Sequence, residues 1–229
     1  MSEINLKIIK SFYNNDAIKI NNDRIKHLDS LYLDFNNKKV LETGCGGIGN
    51  FTKYLVNNGA IVTLNDARLE NILANLKNNN YNLNYNTWDL NKPIETNDKF
   101  DIIFCYGTLY HLTEPENAIK SFAKLCNEYV IISTCTNGKN DETINIVYES
   151  NTPEQGLYSY GCRPGRLFIY NKLKENFKYV YTLKTQPNNP DYPLSFPSSN
   201  TASRNIFIGS HIKINNPILC EELINQYQL

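Results

Sequence analysis

The sequence has no excess of either charge and no long apolar run. Lysine and arginine together number 23 in 229 residues, and aspartate and glutamate also number 23. Proteins that bind nucleic acid through its phosphates usually carry a basic excess, so this balance argues against a bulk RNA or DNA substrate. No segment approaches the roughly 20 apolar residues that cross a bilayer, and the first residues lack an apolar signal-peptide core. We therefore expect a cytoplasmic protein without membrane association.

The six cysteines lack the spacing of a metal site. No Cys-x-x-Cys pair occurs, and 229 residues are enough to bury a core without disulfides. We expect neither a bound metal nor a disulfide framework, and the length fits a single domain. Cys45, Cys105 and Cys135 each fall at the carboxyl end of a predicted strand, where a free cysteine serves as a small apolar side chain.

The most informative segment is an apolar run that ends in a cluster of glycines. Glu42 lies two positions before Gly44, the first glycine of the cluster. Because glycine has no Cβ, the backbone can turn sharply and approach a small molecule beside the N-terminus of the following helix. A second apolar strand ends at Asp66, whose carboxylate can accept hydrogen bonds from both hydroxyls of a ribose.

These motifs resemble those of the class I S-adenosylmethionine-dependent methyltransferases, over about residues 38–125. The resemblance implies S-adenosyl-L-methionine as cofactor, with Glu42 at its methionine end, Asp66 at its ribose and Asp89 at its adenine amine. The glycine loop is one residue longer than usual, so either Gly47 or Gly49 can act as its last glycine. The implied cofactor contacts are Glu42, Gly44, Cys45, Gly46, Gly47, Asp66, Ala67, Trp88, Asp89, Leu90 and Cys105.

A dinucleotide-dependent dehydrogenase is the nearest rival interpretation. Its fingerprint, Gly-x-Gly-x-x-Gly followed by an acidic residue, also occurs here. Three further features favour the methyltransferase: the acid ahead of the glycines, Trp88-Asp89 after the third strand, and the Leu-Tyr-His-Leu turn at residues 109–112. We therefore expect a methyltransferase enzyme of class EC 2.1.1.

The resemblance also implies an α/β fold, a Rossmann-like seven-stranded and mostly parallel sheet with an antiparallel last strand and helices on both faces. Residues 1–36 are expected to form a helical segment that caps the pocket. Residues 37–229 are expected to form the methyltransferase domain, with an insertion at about 136–164 as a substrate lid. Apolar periodicity predicts helices at 4–12, 22–33, 49–58, 69–78, 115–125 and 166–176, and strands at 39–42, 61–64, 84–87, 100–105, 129–133, 178–183 and 205–212.

Residues outside the cofactor motifs must provide the substrate chemistry. Methylation of a hydroxyl requires a group that accepts its proton, and His111 at the ligand edge of the sheet is the first candidate. His27 is a second candidate contact if the N-terminal helices fold over the pocket. From the end of the insertion we expect substrate contacts by Arg163, Tyr158 and Tyr160, with Glu149 ranked below Arg163, because arginine pairs with carboxylate or phosphate and tyrosine offers a flat apolar face.

The expected acceptor is a small molecule. Strand four ends in Cys-Tyr-Gly at residues 105–107, and not in the (Asp/Asn)-Pro-Pro-(Tyr/Phe) pattern of enzymes that methylate an exocyclic amine. We therefore expect O-methylation of a sugar, nucleotide-sugar, glycan or other small polar metabolite. Two alternatives stay open: an RNA-modifying enzyme with its basic groups on one face, and a non-catalytic cofactor-binding subunit.

Overall fold

An eight-stranded sheet runs through the centre of the molecule, with helices on both faces. The computed structural model describes residues 3–13, 15–199 and 203–228. The α-helices are α1 (Glu3–Phe12), α2 (Asn15–Ser30), α3 (Asn50–Asn57), α4 (Leu69–Asn79), α5 (Pro115–Leu125) and α6 (Arg166–Asn176). The strands are β1 (Lys39–Thr43), β2 (Ile61–Asn65), β3 (Asn84–Asn86), β4 (Phe100–Tyr106), β5 (Cys126–Cys135), β6 (Ile144–Tyr148), β7 (Tyr160–Pro164), β8 (Tyr179–Leu183), β9 (Thr185–Gln186), β10 (Arg204–Ser210), β11 (Leu219–Cys220) and β12 (Tyr227–Gln228).

The strand order of the main sheet is β11-β8-β10-β5-β4-β1-β2-β3. The five strands from β3 to β5 pair in parallel, whereas β10 pairs antiparallel with both β5 and β8. The predicted mostly parallel sheet is therefore confirmed, and so is its antiparallel strand, which is β10. The predicted strand number was one too low, because the two-residue β11 extends the edge by pairing with β8. A strand of two residues has no alternation of apolar residues that sequence analysis could detect.

The core forms one apolar layer on each face of the sheet. Neighbouring residues of a central strand point to opposite faces, so Ile103 packs in the layer of α5 and α6, and Phe104 in the layer of α2 and α3. Both side chains are fully buried. Strands with buried residues on both faces read as continuous apolar runs, which is the pattern of β4 and β5 in the sequence.

Two elements begin three or more residues before their predicted start. Helix α2 begins at Asn15, seven residues before the predicted start at Asn22, since the apolar residues at 17, 18 and 20 continue the helix through the asparagine-rich stretch. Strand β5 begins at Cys126, directly after α5, and not at Tyr129. Within the described part of the chain, none of the helices is long and apolar enough to span a membrane.

The insertion contains structure that the sequence analysis did not predict. Strands β6 and β7 form an antiparallel hairpin within residues 136–164, with Asn145 paired to Arg163.

The strand order of the main sheet reverses at β1, which lies between β2 and β4. The crevice outside the carboxyl ends of the strands at such a reversal is the usual ligand site of an open α/β sheet.

Candidate active site

A two-lobed cleft lies at the carboxyl ends of β1, β2 and β4. The larger lobe has a volume of about 1200 Å³ and the smaller lobe about 110 Å³. The larger lobe extends under α1, α2 and the β6–β7 hairpin, whereas the smaller lobe is lined by the segments after β2 and β3. Residues that line both lobes are Phe12, Gly44, Gly46, Gly107, His111, Glu154 and Gln155.

The glycine loop passes closely under neighbouring side chains. Gly44 has a φ of +66°, and a Cβ on it would lie 2.0 Å from Oγ1 of Thr108. That hydroxyl donates to the carbonyl of Thr43 at 2.7 Å, which ties β4 to the end of β1. A Cβ on Gly46 would lie 3.0 Å from the ring of Phe12. The loop therefore requires glycine at Gly44, and α1 covers the loop.

The structure distinguishes the two candidates for the last glycine of the loop. Gly49 has a φ of +72°, immediately precedes α3 and lines the larger lobe. Gly47 lies outside both linings, and a Cβ on it would lie 2.6 Å from Ile8 of α1. The left-handed turn is thus made by Gly49, and Gly47 faces the covering helix rather than the cleft.

Glu42 lies behind the glycine loop rather than on the cleft wall. Its side chain is buried, and Oε2 accepts a 2.6 Å hydrogen bond from Oγ1 of Thr52. Burial is the main reason that the pKa of this carboxyl rises to about 8, and the nearby Asp66 charge raises it further. Asn75 donates to the same threonine hydroxyl at 2.8 Å and to the carbonyl of Cys45. Glu42 therefore supports the loop from inside the sheet.

Asp66 projects into the smaller lobe directly after β2. Its Oδ2 accepts the N–H of Gly46 at 3.2 Å, and Oδ1 accepts the N–H of Arg68 at 2.9 Å. Burial raises the pKa of the carboxyl, although these two N–H groups and Asn71 oppose the rise. Ala67 lines the same lobe.

Asp89 lies at the far end of the smaller lobe, together with Trp88 and Leu90. Its Oδ2 accepts a 2.6 Å hydrogen bond from the hydroxyl of Tyr158. Desolvation raises the pKa of the carboxyl, but the hydrogen bonds of Tyr158 and Asn91 outweigh it, and the pKa lies below the ordinary value. The structure thus corrects the expectation for Tyr158, which is bonded at the predicted adenine end and not at the acceptor end.

His111 stands on the wall shared by the two lobes and pairs with a carboxylate. It closes the one-turn 3₁₀-helix Leu109–His111 after β4, and its Nδ1 lies 2.6 Å from Oε2 of Glu149. The same oxygen accepts the N–H of Gly156 at 2.9 Å. Desolvation is the largest influence on Glu149 and raises its pKa, yet His111, Gly156 and Arg163 together hold that pKa below the ordinary value.

Arg163 lines the larger lobe beside this pair. Its Nη1 donates to the carbonyl of Cys162 at 2.8 Å and to that of Tyr110 at 3.3 Å, and it lies 3.5 Å from Oε1 of Glu149. Its guanidinium carbon lies 5.1 Å from the centroid of the Tyr110 ring. Strand β7 thus holds the arginine next to His111.

Three further residues predicted for the site also lie outside the cleft. His27 is buried outside both linings, its Nε2 is 3.0 Å from Oγ1 of Thr185, and burial lowers its pKa to about 4. Cys105 is fully buried in the apolar layer of α5 and α6. Tyr160 is half exposed on the outer side of the hairpin and packs edge-on against Tyr148. A side chain near the ligand edge of the sheet can still point into the core or outwards.

Sequence analysis missed two arginines and one carboxylate of the cleft. Arg24 of α2 is buried over the rings of Phe51 and Tyr106, at 4.8 and 4.7 Å from their centroids. Its Nε and Nη2 have no hydrogen-bond partner among the described residues. The same holds for Nε and Nη1 of Arg204 and for Oε2 of Glu154. Their positions depend on long-range packing, and no local motif marks them.

Comparisons with known proteins agree with this architecture. A family described as a methyltransferase domain matches residues 19–160. The ubiquinone biosynthesis O-methyltransferase of Coxiella burnetii is 31% identical over 109 residues, which cover 46% of this chain and 46% of that protein. The chain thus matches about half the length of these relatives. A crystal structure of the N-terminal domain of EvdMO1, in the presence of SAH and D-fucose, superposes with a TM-score of 0.63 at 19% identity, covering 86% of this chain and 83% of that one.

One relative bears the name of the rival class. A Methanocaldococcus jannaschii protein provisionally named as a precorrin-2 dehydrogenase is 30% identical over 156 residues, covering 63% of this chain and 73% of that protein. Dinucleotide-binding sheets are built of parallel halves in the order 3-2-1-4-5-6. The antiparallel β10 between β5 and β8 departs from that order. Because the family match covers more than half of the chain and includes the glycine loop, Asp66, Asp89 and His111, the protein belongs to the methyltransferase-domain family and has the fold of the class I S-adenosylmethionine-dependent methyltransferases.

Proposed function

We propose that this protein transfers a methyl group from S-adenosylmethionine to a hydroxyl of a small polar metabolite, with a sugar or nucleotide-linked sugar as the leading acceptor. The observation that carries the proposal is the pair of His111 and Glu149 on the wall shared by the two lobes, with Nδ1 and Oε2 2.6 Å apart. Such a pair can accept the proton of an attacking hydroxyl.

The residues around the glycine loop fit the proposed cofactor. Arg24 lines the larger lobe beside the loop, and two of its buried nitrogens have no hydrogen-bond partner among the described residues, which suits the carboxylate of the methionine part. Asp66 presents its carboxylate to the smaller lobe, where a ribose diol would find an acceptor. Asp89, with the backbone of Trp88 and Leu90, borders the same lobe and suits an adenine amine.

The proton chemistry follows from the hydrogen bond of His111. Because an ionised Glu149 can only accept, its contact with Nδ1 places the proton of His111 there, and Nε2 carries the free lone pair that takes the proton from the acceptor hydroxyl. The carboxylate fixes the tautomer and the ring orientation, and it stabilises the imidazolium that forms. Bound S-adenosylmethionine supplies an electrophilic methyl group on a sulfonium. The protein then has to align the hydroxyl with that methyl group and to hold the released proton.

The acceptor class is supported by the lining of the larger lobe. Its volume of about 1200 Å³ exceeds the needs of the methionine part alone, and Tyr110, Asn137 and Asn145 add an aromatic face and amide groups. Aromatic faces and amides are suited to sugars, which combine apolar ring faces with hydroxyls. A structural neighbour with the same fold was crystallised in the presence of SAH and D-fucose, which is compatible with a sugar acceptor.

The first experiment is a calorimetric titration with S-adenosylmethionine and S-adenosylhomocysteine. A labelled-methyl transfer screen over nucleotide-sugars, free sugars, hydroxy acids, amines and RNA would follow. We expect binding of both cofactor forms and label on a hydroxyl-bearing small molecule. Label on RNA alone would refute the acceptor class, and absence of cofactor binding by the folded protein would refute the whole proposal.

The role of His111 is tested by the His111→Gln variant. We expect kcat to fall about 100-fold or more, within the range of general-base contributions, with little change in cofactor affinity. His211→Gln is the matched control, because His211 follows β10 beside the amino end of β5, at the opposite edge of the sheet, and bonds to the carbonyl of Ala123. Equal kcat values in the two variants would contradict the role of His111.

A further inference from the structure

The larger lobe holds a second arginine that the proposed cofactor site does not use. Arg204 is the first residue of β10, where it pairs with Cys135 at the carboxyl end of β5. Its side chain is only 14% exposed and lines the lobe. Nε and Nη1 have no hydrogen-bond partner among the described residues. Unpaired donors of a buried cation are costly, so an acceptor from a ligand would stabilise this arrangement.

The protein groups around Arg204 hold it loosely. Oδ2 of Asp191 lies 3.5 Å from Nε, and the Asp191 side chain is 38% exposed. The hydroxyl of Tyr110 accepts from Nη2 at 3.5 Å, the upper limit for a hydrogen bond. Both distances exceed the 2.7–2.9 Å that is usual for a charge-assisted contact. The guanidinium thus has protein neighbours on two sides, but neither forms a short hydrogen bond with it.

Tyr110 connects this arginine to the catalytic pair. The guanidinium carbons of Arg204 and Arg163 lie 5.0 and 5.1 Å from the centroid of its ring. Tyr110 is the neighbour of His111, and the two rings lie 4.1 Å apart. Two cations therefore share one aromatic ring next to the proposed base.

Charge alone does not single out this part of the lobe, because Asp16, Glu154 and Asp191 also line it. The distinguishing feature is the set of unpartnered donors on Arg204. Oxyanions match a guanidinium in shape and charge, since two parallel N–H groups can bond two oxygens. A neutral hydroxyl would pair with a single donor and add no negative charge beside the guanidinium.

We propose that Arg204, Arg163 and the ring of Tyr110 form a subsite for an oxyanion, a phosphate or a carboxylate, carried by the acceptor close to the hydroxyl that is methylated. The role of this subsite in holding an acceptor rests on the proposed methyl transfer. Binding of an oxyanion to the subsite can be measured without any methyl transfer. The subsite narrows the acceptor to an anionic hydroxylated metabolite, such as a nucleotide-linked sugar or a sugar acid.

The test is calorimetric binding of two probes, uridine 5′-diphosphate for phosphate and D-glucuronate for carboxylate, each with and without saturating S-adenosylhomocysteine. We expect the wild-type protein to bind at least one probe at millimolar concentration or below. Arg204→Met should weaken that binding roughly tenfold or more. Arg204→Lys should recover part of it, and Lys178→Met, which removes an exposed cation at the opposite edge of the sheet, should leave it unchanged.

A second variant distinguishes loss of the subsite from misfolding of the Arg204→Met variant. Asp191→Asn removes the carboxylate that competes for Arg204, so the probe should bind roughly two- to fivefold more tightly. A folding defect would weaken binding and could not produce this gain. The subsite is refuted if neither probe binds the wild-type protein, or if the Arg204→Met variant binds like wild type. Failure of S-adenosylhomocysteine to bind would refute the proposed function instead, and the titrations without it would still test the subsite.

Discussion

Replacing Glu149 by glutamine should slow methyl transfer about tenfold, and at most about 100-fold, without a comparable loss of cofactor affinity. In the structure one oxygen of Glu149 accepts both the His111 Nδ1–H at 2.6 Å and the Gly156 N–H at 2.9 Å. The amide oxygen of glutamine can keep both bonds, so the change removes the negative charge and, at Oε1, the 3.5 Å ion pair with Arg163. A hydrogen bond to a charged group exceeds a neutral one by about 1.5 kcal/mol, which corresponds to roughly tenfold in rate.

The assay is steady-state transfer of labelled methyl to the acceptor found in the screen, with kcat and KM determined for each substrate. The loss should appear in kcat, because an imidazolium forms only as the reaction proceeds. Glu116→Gln is the matched control: Glu116 is a carboxylate of α5 that also has a lowered pKa through its basic partners, and it lies outside the cleft. The reasoning is wrong if Glu149→Gln retains the kcat of the wild-type enzyme while the fold is intact.

Three further predictions concern the cofactor end. Arg24→Met should weaken S-adenosylhomocysteine binding roughly tenfold in calorimetry, since the carboxylate of the ligand would lose two proposed donors, and unchanged affinity would contradict the assignment. Burial raises the folded-state pKa of Glu42 to about 8. Between its ordinary pKa and this value, the folded protein keeps the carboxyl proton that the unfolded chain has already lost. Wild-type stability in urea should therefore fall by a few kcal/mol relative to Glu42→Gln as pH rises from about 4.5 to 8, and parallel curves would refute the shift. Gly44→Ala should destabilise the protein by roughly 1–3 kcal/mol, measured as a lower Tm, because its Cβ would meet Thr108 at 2.0 Å in a left-handed turn.

Sequence analysis predicted the part of the site that depends on patterns local in the sequence. The apolar run of β1, the glycines after it and the acid after β2 follow one another along the chain, and each pattern has a local physical reason. His111 was also predicted because it directly follows β4, and the carboxyl ends of parallel strands meet at one edge. Glu149 was named in the insertion, but nothing in the sequence paired it with His111 across 38 residues.

The wrong predictions concern side chains whose positions are set by contacts distant in the sequence. His27 follows Arg24 by three positions, so both lie on one face of α2, yet only the arginine reaches the cleft. The histidine packs on Thr185, a partner 158 residues away. Hairpin β6–β7 escaped prediction because Ile144, Ile146 and Tyr148 are exposed apolar residues on a short strand, and no buried alternation marks them.

The two arginines with unpartnered donors divide the larger lobe into two functional ends. Arg24 reaches it from the N-terminal helices beside the glycine loop, and Arg204 reaches it from β10 beside Tyr110 and the end of β5. On the proposals above, the carboxylate of the cofactor satisfies the first and the acceptor's oxyanion the second. The two ligands should therefore bind without competing, and their stabilising effects should add when both are present. A melting experiment with S-adenosylhomocysteine and uridine 5′-diphosphate separately and together would show additive increases in Tm, whereas mutual exclusion would mean that one arginine serves both anions.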